Sequence, residues 1–323
     1  MSTLLEIRHL KKYFNTPKGL LSAVDDVNFT LESGRTLGVV GESGCGKSTL
    51  GRVILHLLEA TDGQIIFDGE DITHLSGERL KEQRRHMQMI FQDPFASLNP
   101  RMTVSDIIGE PLKIYGVTKD RTEYEKRVIR LMEQVGLAER VFHSYPHELD
   151  GGRRQRVGIA RSLAVNPRFI VCDEPVSALD VSIQAQILNL MQDLQRDLGL
   201  TYIFITHDLS VVRHISDDIC VMYLGVMVEK SPAKELFRHQ YHPYTQALLS
   251  AIPIPKINAV RNRIILKDEL TSPINVGAGC RFAPRCLFAC DRCREETPAL
   301  REIAPGHFTA CHFPLKSPDG QCS

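Results

Sequence analysis

The sequence has no surplus of either charge. Lys and Arg total 39, and so do Asp and Glu. Proteins that bind nucleic acid without other help usually carry a basic excess or patch, so no nucleic-acid partner is expected. No apolar run approaches the roughly 20 residues that a membrane-spanning helix needs. The first residues, MSTLLEIRHLKKYF, lack the apolar core of a secretion signal. The chain is therefore expected on the cytoplasmic side, with any membrane contact made through partners. It has no long internal repeat and no low-complexity tract.

What is present is ordinary globular composition, with 43% hydrophobic and 24% charged residues in 323. That length suits one large domain and a smaller one. Residues 1–35 alternate apolar and polar and predict short strands with turns. TLGVVGESGCGKSTLGRVILHLL then runs from a buried strand through a glycine loop into a helix. A hairpin is expected over 63–75, a strand within 84–92 and mainly helix from Thr103 to about Ala164. RFIVCDEP and TYIFITHD are strands, separated by the helix SIQAQILNLMQDLQRDLG. This alternation predicts an α/β fold with a parallel sheet. Past about residue 235 the periodicity fades while Pro, Gly and Cys become frequent, so a boundary is placed between 1–235 and 236–323.

GESGCGKST, residues 41–49, fits G-x-x-x-x-G-K-[ST] after a strand and before a helix, the context a phosphate loop requires. Gly41, Ser43, Gly44, Cys45 and Gly46 would wrap backbone N–H groups around the β- and γ-phosphates. Lys47 adds positive charge, Ser48 offers a hydroxyl to Mg²⁺, and Thr49 completes the motif. Cys45 is expected to pack rather than react. In FIVCDEP an apolar strand ends in two carboxylates at its C-terminal edge, where α/β sheets bind ligands. Asp173 would hold Mg²⁺, and Glu174 would orient and deprotonate an attacking water.

With these motifs the sequence resembles the ATP-binding subunits of ABC transporters, over residues 4–230. The resemblance implies a P-loop ATPase with a RecA-like parallel sheet core, an antiparallel β subdomain and a helical subdomain at about 95–160. FQDP (91–94) matches the Q-loop, so Gln92 would contact Mg²⁺ and sense membrane subunits. LDGGRRQR (149–156) stands where the family has L-S-G-G-Q-x-Q-R, and SALD (177–180) is the D-loop, with Asp180. ITHD (205–208) supplies the switch His207, able to stabilise charge developing on the γ-phosphate. Phe14, or Tyr13 if the register slips by one, would stack on adenine.

The tail narrows the resemblance to the dipeptide, oligopeptide and nickel importers, and within them to the second, F-type ATPase of the pair. YHPYTQALLSAIP (241–253) carries it, together with GCRFAPRC and GHFTACH. This implies a peripheral subunit at the cytoplasmic face of the inner membrane that uses ATP and Mg²⁺ to power peptide import. Its partners would be a second ABC ATPase in a heterodimer, two transmembrane permease subunits and an extracytoplasmic peptide-binding protein. Nickel, glutathione or another small solute is the alternative cargo, and a soluble non-transport ABC ATPase the alternative role.

Six of nine cysteines lie in the last 44 residues. A cytosolic protein does not normally spend such a cluster on disulfides. Cys280, Cys286, Cys293 and Cys311, spaced C-x5-C-x6-C-x17-C, resemble the iron–sulfur-bearing members of the subfamily, which implies a [4Fe–4S] cluster in a small irregular Cys-rich extension. Zinc and uncoordinated thiols remain alternatives. Cys290 is taken as a bystander and Cys322 as lying at a frayed end.

The signature departs from its family. Asp150 stands for serine and Arg153 for glutamine, beside the usual Gly151 and Gly152. Asp is a good helix N-cap, and at i and i+3 the two charges can offset each other. The resemblance implies that this signature faces ATP held by the partner chain. Either the substitution is tolerated because the carboxylate is paired locally, or a carboxylate there disfavours the γ-phosphate; the second reading leads to the expectation of an asymmetric pair with one competent and one weakened site.

Overall fold

The computed structural model describes residues 2–252, 263–266 and 273–315. Pro253, at the end of the 241–253 segment, and Cys322 lie outside the described residues. In chain order the elements are β1 (Thr3–Thr16), β2 (Gly19–Glu32), β3 (Thr36–Val40), α1 (Lys47–Ile54), β4 (Asp62–Phe67), β5 (Glu70–Asp71) and α2 (Gly77–His86). There follow β6 (Met87–Ile90), α3 (Pro94–Ser97), α4 (Val104–Ile114), α5 (Arg121–Gln134), α6 (Gly151–Leu163), β7 (Phe169–Asp173), α7 (Val181–Leu198) and β8 (Thr201–Thr206). The chain continues through α8 (Leu209–Ile215), β9 (Asp218–Tyr223), β10 (Val226–Pro232), α9 (Ala233–Arg238), α10 (Pro243–Ser250), α11 (Asp291–Glu295), β11 (Arg301–Ala304) and β12 (His307–Thr309). They fall into two compact units.

The first unit comprises Met1–Ser2, Glu32–Arg35 and His74–Ile205. Its strands β6, β7 and β8 are parallel, with Ile90 opposite Cys172 and Asp173 opposite Ile205. All five residues of β7 and all six of β8 are buried, as expected of strands covered on both faces. Helices start on side-chain caps. Thr103 Oγ1 accepts from Asp106 N–H at α4, and Asp120 Oδ1 from Glu123 N–H at α5. Gly199, at φ 66°, stops α7 in the left-handed conformation that glycine adopts cheaply.

The second unit comprises Thr3–Leu31, Thr36–Thr73 and Thr206–Ser323. The early strands form an antiparallel sheet in the order β2-β1-β4-β5. Instead of several short strands, residues 3–32 make two of 14 residues each, because the strands run on through local irregularities: the register of β1 on β4 shifts between Arg8 and Lys11, and His9 and Asp26 take positive φ of 48° and 52° without ending β1 or β2. β3 runs parallel to β9, β10 antiparallel to β9, and β12 antiparallel to β10. Sheet structure thus continues past residue 235. In the core, Val40 and Val221 join Tyr223, Tyr244 and Phe282. The Tyr223–Tyr244 and Tyr223–Phe282 rings meet edge-on at 4.7 and 5.2 Å, a favoured aromatic geometry.

Candidate nucleotide site

The second unit carries the glycine loop. Gly46, at φ 101°, caps α1, and a β-carbon there would lie 2.0 Å from the Ala23 carbonyl. A β-carbon on Gly41 would lie 2.2 Å from the Met222 carbonyl. Both positions therefore require glycine for space, and both also have positive φ. Lys47 is 5% exposed; its Nζ donates to the carbonyls of Gly41 (2.8 Å) and Glu42 (2.9 Å). Cys45 is buried, and burial raises its thiol pKa, so it packs. Ser43 and Gly44 are exposed, while Ser48 and Thr49 are half-buried at the start of α1.

His207 is exposed just after β8, where Asp208 caps α8 by accepting from Ser210 N–H at 2.8 Å. Tyr13 and Phe14 are neighbours on β1, so their side chains leave opposite faces. The Tyr13 hydroxyl donates to Asp25 Oδ1 at 2.5 Å, and Arg281 grips the same carboxylate. Tyr13 also lines an open cleft of about 990 Å³ bordered by β1, β2, β10 and the tail. The Phe14 ring instead carries the Lys12 ammonium at 4.9 Å.

The first unit carries the acidic residues. Asp173 ends β7 and is 1% exposed. Glu174 follows at φ 46°, a left-handed conformation that costs a non-glycine residue about 1–3 kcal/mol and collects at functional sites. Its N–H donates to the Ile205 carbonyl at 2.9 Å. Its side chain accepts from Gln92 Nε2 at 3.0 Å, so Gln92 and Glu174 are brought together.

Asp150 caps α6, its Oδ1 accepting from Arg153 N–H at 2.8 Å, while Arg153 Nε stands 3.5 Å from Oδ2. Both side chains are largely exposed, at 62% and 48%, so their attraction is small. Gly151 and Gly152 let α6 approach the chain before and within α7, since β-carbons there would meet Leu179 and Ile183 at 3.2 and 2.8 Å. Asp180 is exposed at the start of α7.

In the tail, Cys280, Cys286, Cys293 and Cys311 line one small cavity with His242 and Phe282. Burial, and to a lesser extent the neighbouring Cys280, Cys286 and Cys293, raises the Cys311 thiol to about 12. Cys290 does not line that cavity; its Sγ lies 3.7 Å from that of Cys293. Among the described residues, no three His, Cys, Asp or Glu side chains are gathered as a metal ion would require. The four thiols share a cavity without forming a ligand shell, and to that extent the geometry falls short of the expected cluster.

Sequence reasoning missed three residues that act on the site. Tyr244, Arg281 and Arg285 lie in the tail, yet Tyr244 and Arg285 bond Glu42 of the glycine loop, and Arg281 bonds Asp25 beside Tyr13. No local motif marks them, because contacts so distant in sequence leave no periodic signal.

Comparison with known proteins agrees with this layout. Residues 24–177 match the ABC transporter family, and residues 228–293 match the oligopeptide/dipeptide transporter C-terminal region. The chain is 53% identical over 321 residues to the oligopeptide transport ATP-binding protein AppF of Bacillus subtilis, covering 96% of this chain and 97% of the relative. It is 54% identical over 310 residues to OppF of the same organism, covering 95% and 96%. A putative peptide import ATP-binding protein of Brucella abortus is 51% identical, covering 95% and 97%. Among solved structures, the ATP-binding cassette MJ0796, a dimer bound to ADP and Pi, superposes with TM-score 0.66 at 29% identity, over 71% of this chain and 99% of that one. CbiO1 of Clostridium perfringens, part of the cbiONQ transporter, gives 0.65 at 28%, over 73% and 91%. The fold is that of an ATP-binding cassette. No helix among the described residues is long and apolar enough to cross a membrane.

Proposed function

The chain belongs to the ABC transporter family, and from that premise we propose that it is the ATP-hydrolysing subunit powering import of dipeptides or oligopeptides. One observation carries the reading: a tail matching the peptide-transporter C-terminal region follows the cassette motifs, of which only the signature is altered, at Asp150 and Arg153. Its partners are two transmembrane permeases, an extracytoplasmic peptide-binding protein and a second ATPase, and its place is the cytoplasmic face of the inner membrane. Residues 1–235 form the nucleotide-binding domain and 236–323 the importer-type extension.

Each motif residue has a task. Backbone N–H groups of residues 41–49 and the Lys47 ammonium bind the β- and γ-phosphates. Phe14 stacks on adenine, since the Tyr13 hydroxyl is committed to Asp25. Glu174, oriented by Gln92, takes a proton from the attacking water. His207 donates to the γ-phosphate as charge builds there. Ser48, Gln92 and Asp173 would hold Mg²⁺, which supplies charge neutralisation on the phosphates. Their hydroxyl, amide carbonyl and carboxylate oxygens are the hard donors that ion takes.

The signature serves the partner's nucleotide. With Asp150 and Arg153 in it, the partner's site is the weaker one, and this chain's own phosphate loop works with the partner's signature. A [4Fe–4S] cluster on Cys280, Cys286, Cys293 and Cys311 is supported by the soft thiolate donor set and the shared cavity. It requires the thiols to draw together. Anaerobic protein without iron and without absorbance near ~400 nm would remove the cluster from this reading.

The experiment for the whole function is uptake of labelled dipeptides and oligopeptides into vesicles holding the assembled complex. ATP-driven peptide uptake is expected. A complex that hydrolyses ATP yet moves nickel or another solute instead of peptides would overturn the peptide assignment.

A further inference from the structure

The glycine loop is held by more than its own strand and helix. Glu42, its second residue, is gripped from the tail. Arg285 donates from Nη1 to Oε2 at 2.6 Å and from Nη2 to Oε1 at 3.1 Å. The Glu42 N–H donates to the Tyr244 hydroxyl at 2.9 Å. The Arg285 side chain is only 8% exposed, so solvent screens this pair less than a surface pair.

The grip has a rigid origin. Arg285 ends a single 3₁₀ turn, Ala283–Arg285, whose preceding residue Phe282 is 1% exposed within the aromatic core. Cys286 follows at once and lines the cysteine cavity. Tyr244 is fully buried in the same core. Neither group can follow the loop if it shifts.

We propose that Arg285, with Tyr244, is a positioning residue for ATP binding at this chain's own phosphate loop. The inference rests on the ATPase reading and adds the tail to the nucleotide site. Two physical effects support it. A carboxylate in a loop that receives a triphosphate repels it, and a bidentate guanidinium neutralises that charge in fixed geometry. The grip also reaches the phosphate-loop lysine, because the carbonyl of the gripped residue is one of the two that accept from Lys47 Nζ. Arg285, Glu42 and Lys47 form one chain of contacts, from the tail to the cation that meets the phosphates.

The test measures ATP binding and thermal unfolding on the full chain, and steady-state hydrolysis on the assembled complex, where the partner's signature completes this chain's site. Arg285→Ala should weaken ATP binding about tenfold, the effect of losing one charge-assisted contact. The loss should appear in KM, with kcat at saturation changing less than about twofold, because Glu174 and His207 are untouched. Arg285→Lys keeps the charge but loses the fork, and should recover part of the affinity. Arg285→Ala combined with Glu42→Gln should bind ATP more tightly than Arg285→Ala alone, since the unneutralised carboxylate is gone. A merely structural role would not produce that rescue.

Tyr244→Phe keeps the ring in the core and removes only the hydroxyl, so it tests the second contact if Arg285→Ala folds poorly; about threefold weaker binding is expected. Wild-type KM in both Arg285→Ala and Tyr244→Phe, or a double variant no better than Arg285→Ala, overturns the proposal. A wild-type chain that binds no ATP would instead overturn the ATPase reading.

Discussion

Gln92 and Glu174, 82 residues apart in sequence, meet side chain to side chain at 3.0 Å, the amide of one holding the carboxylate of the other. The bond fixes a carboxylate whose backbone is already in a left-handed conformation. Glu174→Gln should therefore lower hydrolysis by about 10²–10⁴-fold, the usual contribution of a general base, while leaving ATP binding in place. Single-turnover assays beside equilibrium binding would check this. Hydrolysis within a few-fold of wild type would remove Glu174 from the role.

The signature gives a second prediction. Asp150→Ser with Arg153→Gln removes the acid and the base that lie 3.5 Å apart at the start of α6. In the assembled transporter this double change should raise ATP occupancy or turnover at the partner's site. Helix stability should hold, since serine also caps well. Unchanged nucleotide content and ATPase activity would defeat the idea of unequal sites.

Acid should weaken the fold through His242. This residue is 1% exposed, and burial pushes its pKa from 6.5 down to about 4. Its Nδ1 accepts from Tyr244 N–H at 3.1 Å, which requires the neutral ring on that side. Nearby, Glu229 accepts from His242 N–H and bonds His307. The unfolded chain binds the His242 proton more readily than the folded one. Stability from this group is therefore complete above about pH 6.5 and is lost as pH falls toward 4, by up to about 3 kcal/mol. Urea unfolding across that window should show the slope. His242→Asn, which keeps a capping side chain, should flatten it; an equal slope in the variant would assign the effect elsewhere.

Thiol reactivity should single out Cys290. It is exposed, and a backbone N–H from Cys293 lowers its pKa. Burial raises the thiols of Cys45, Cys172, Cys220, Cys280, Cys286 and Cys311. Since the thiolate is the nucleophile, limited alkylation followed by peptide mass mapping should find Cys290 modified first among the described cysteines. Cys45 or Cys311 reacting as fast would contradict the burial described for them.

Much of this was legible in residues close together in sequence. The glycine spacing of 41–49, the apolar strand ending in Asp173 and Glu174, and the N-cap role of Asp150 all follow from local chemistry, and the structure has each at the expected strand or helix end. What was not legible depends on distance. Nothing near Glu42 announces that Tyr244 and Arg285 will hold it, whereas the spacing shared with the subfamily did single out the four cysteines that line the cavity, Cys280, Cys286, Cys293 and Cys311. The β1–β2 region read as short strands because period-two alternation does not report strand length when turn-like residues sit inside it.

The aromatic core of the second unit has a consequence for synthesis. Val40 enters that core from the third strand, while Phe282 joins about 240 residues later. At about 5–20 residues per second, the early strands wait roughly 10–50 s on the ribosome for the last ring to arrive. Once Tyr223 has been made, the apolar surface around it lacks its final cover until Phe282 follows 59 residues later, roughly 3–12 s. Growing chains halted between residues 240 and 280 should be the forms that protease and chaperone recognise most strongly.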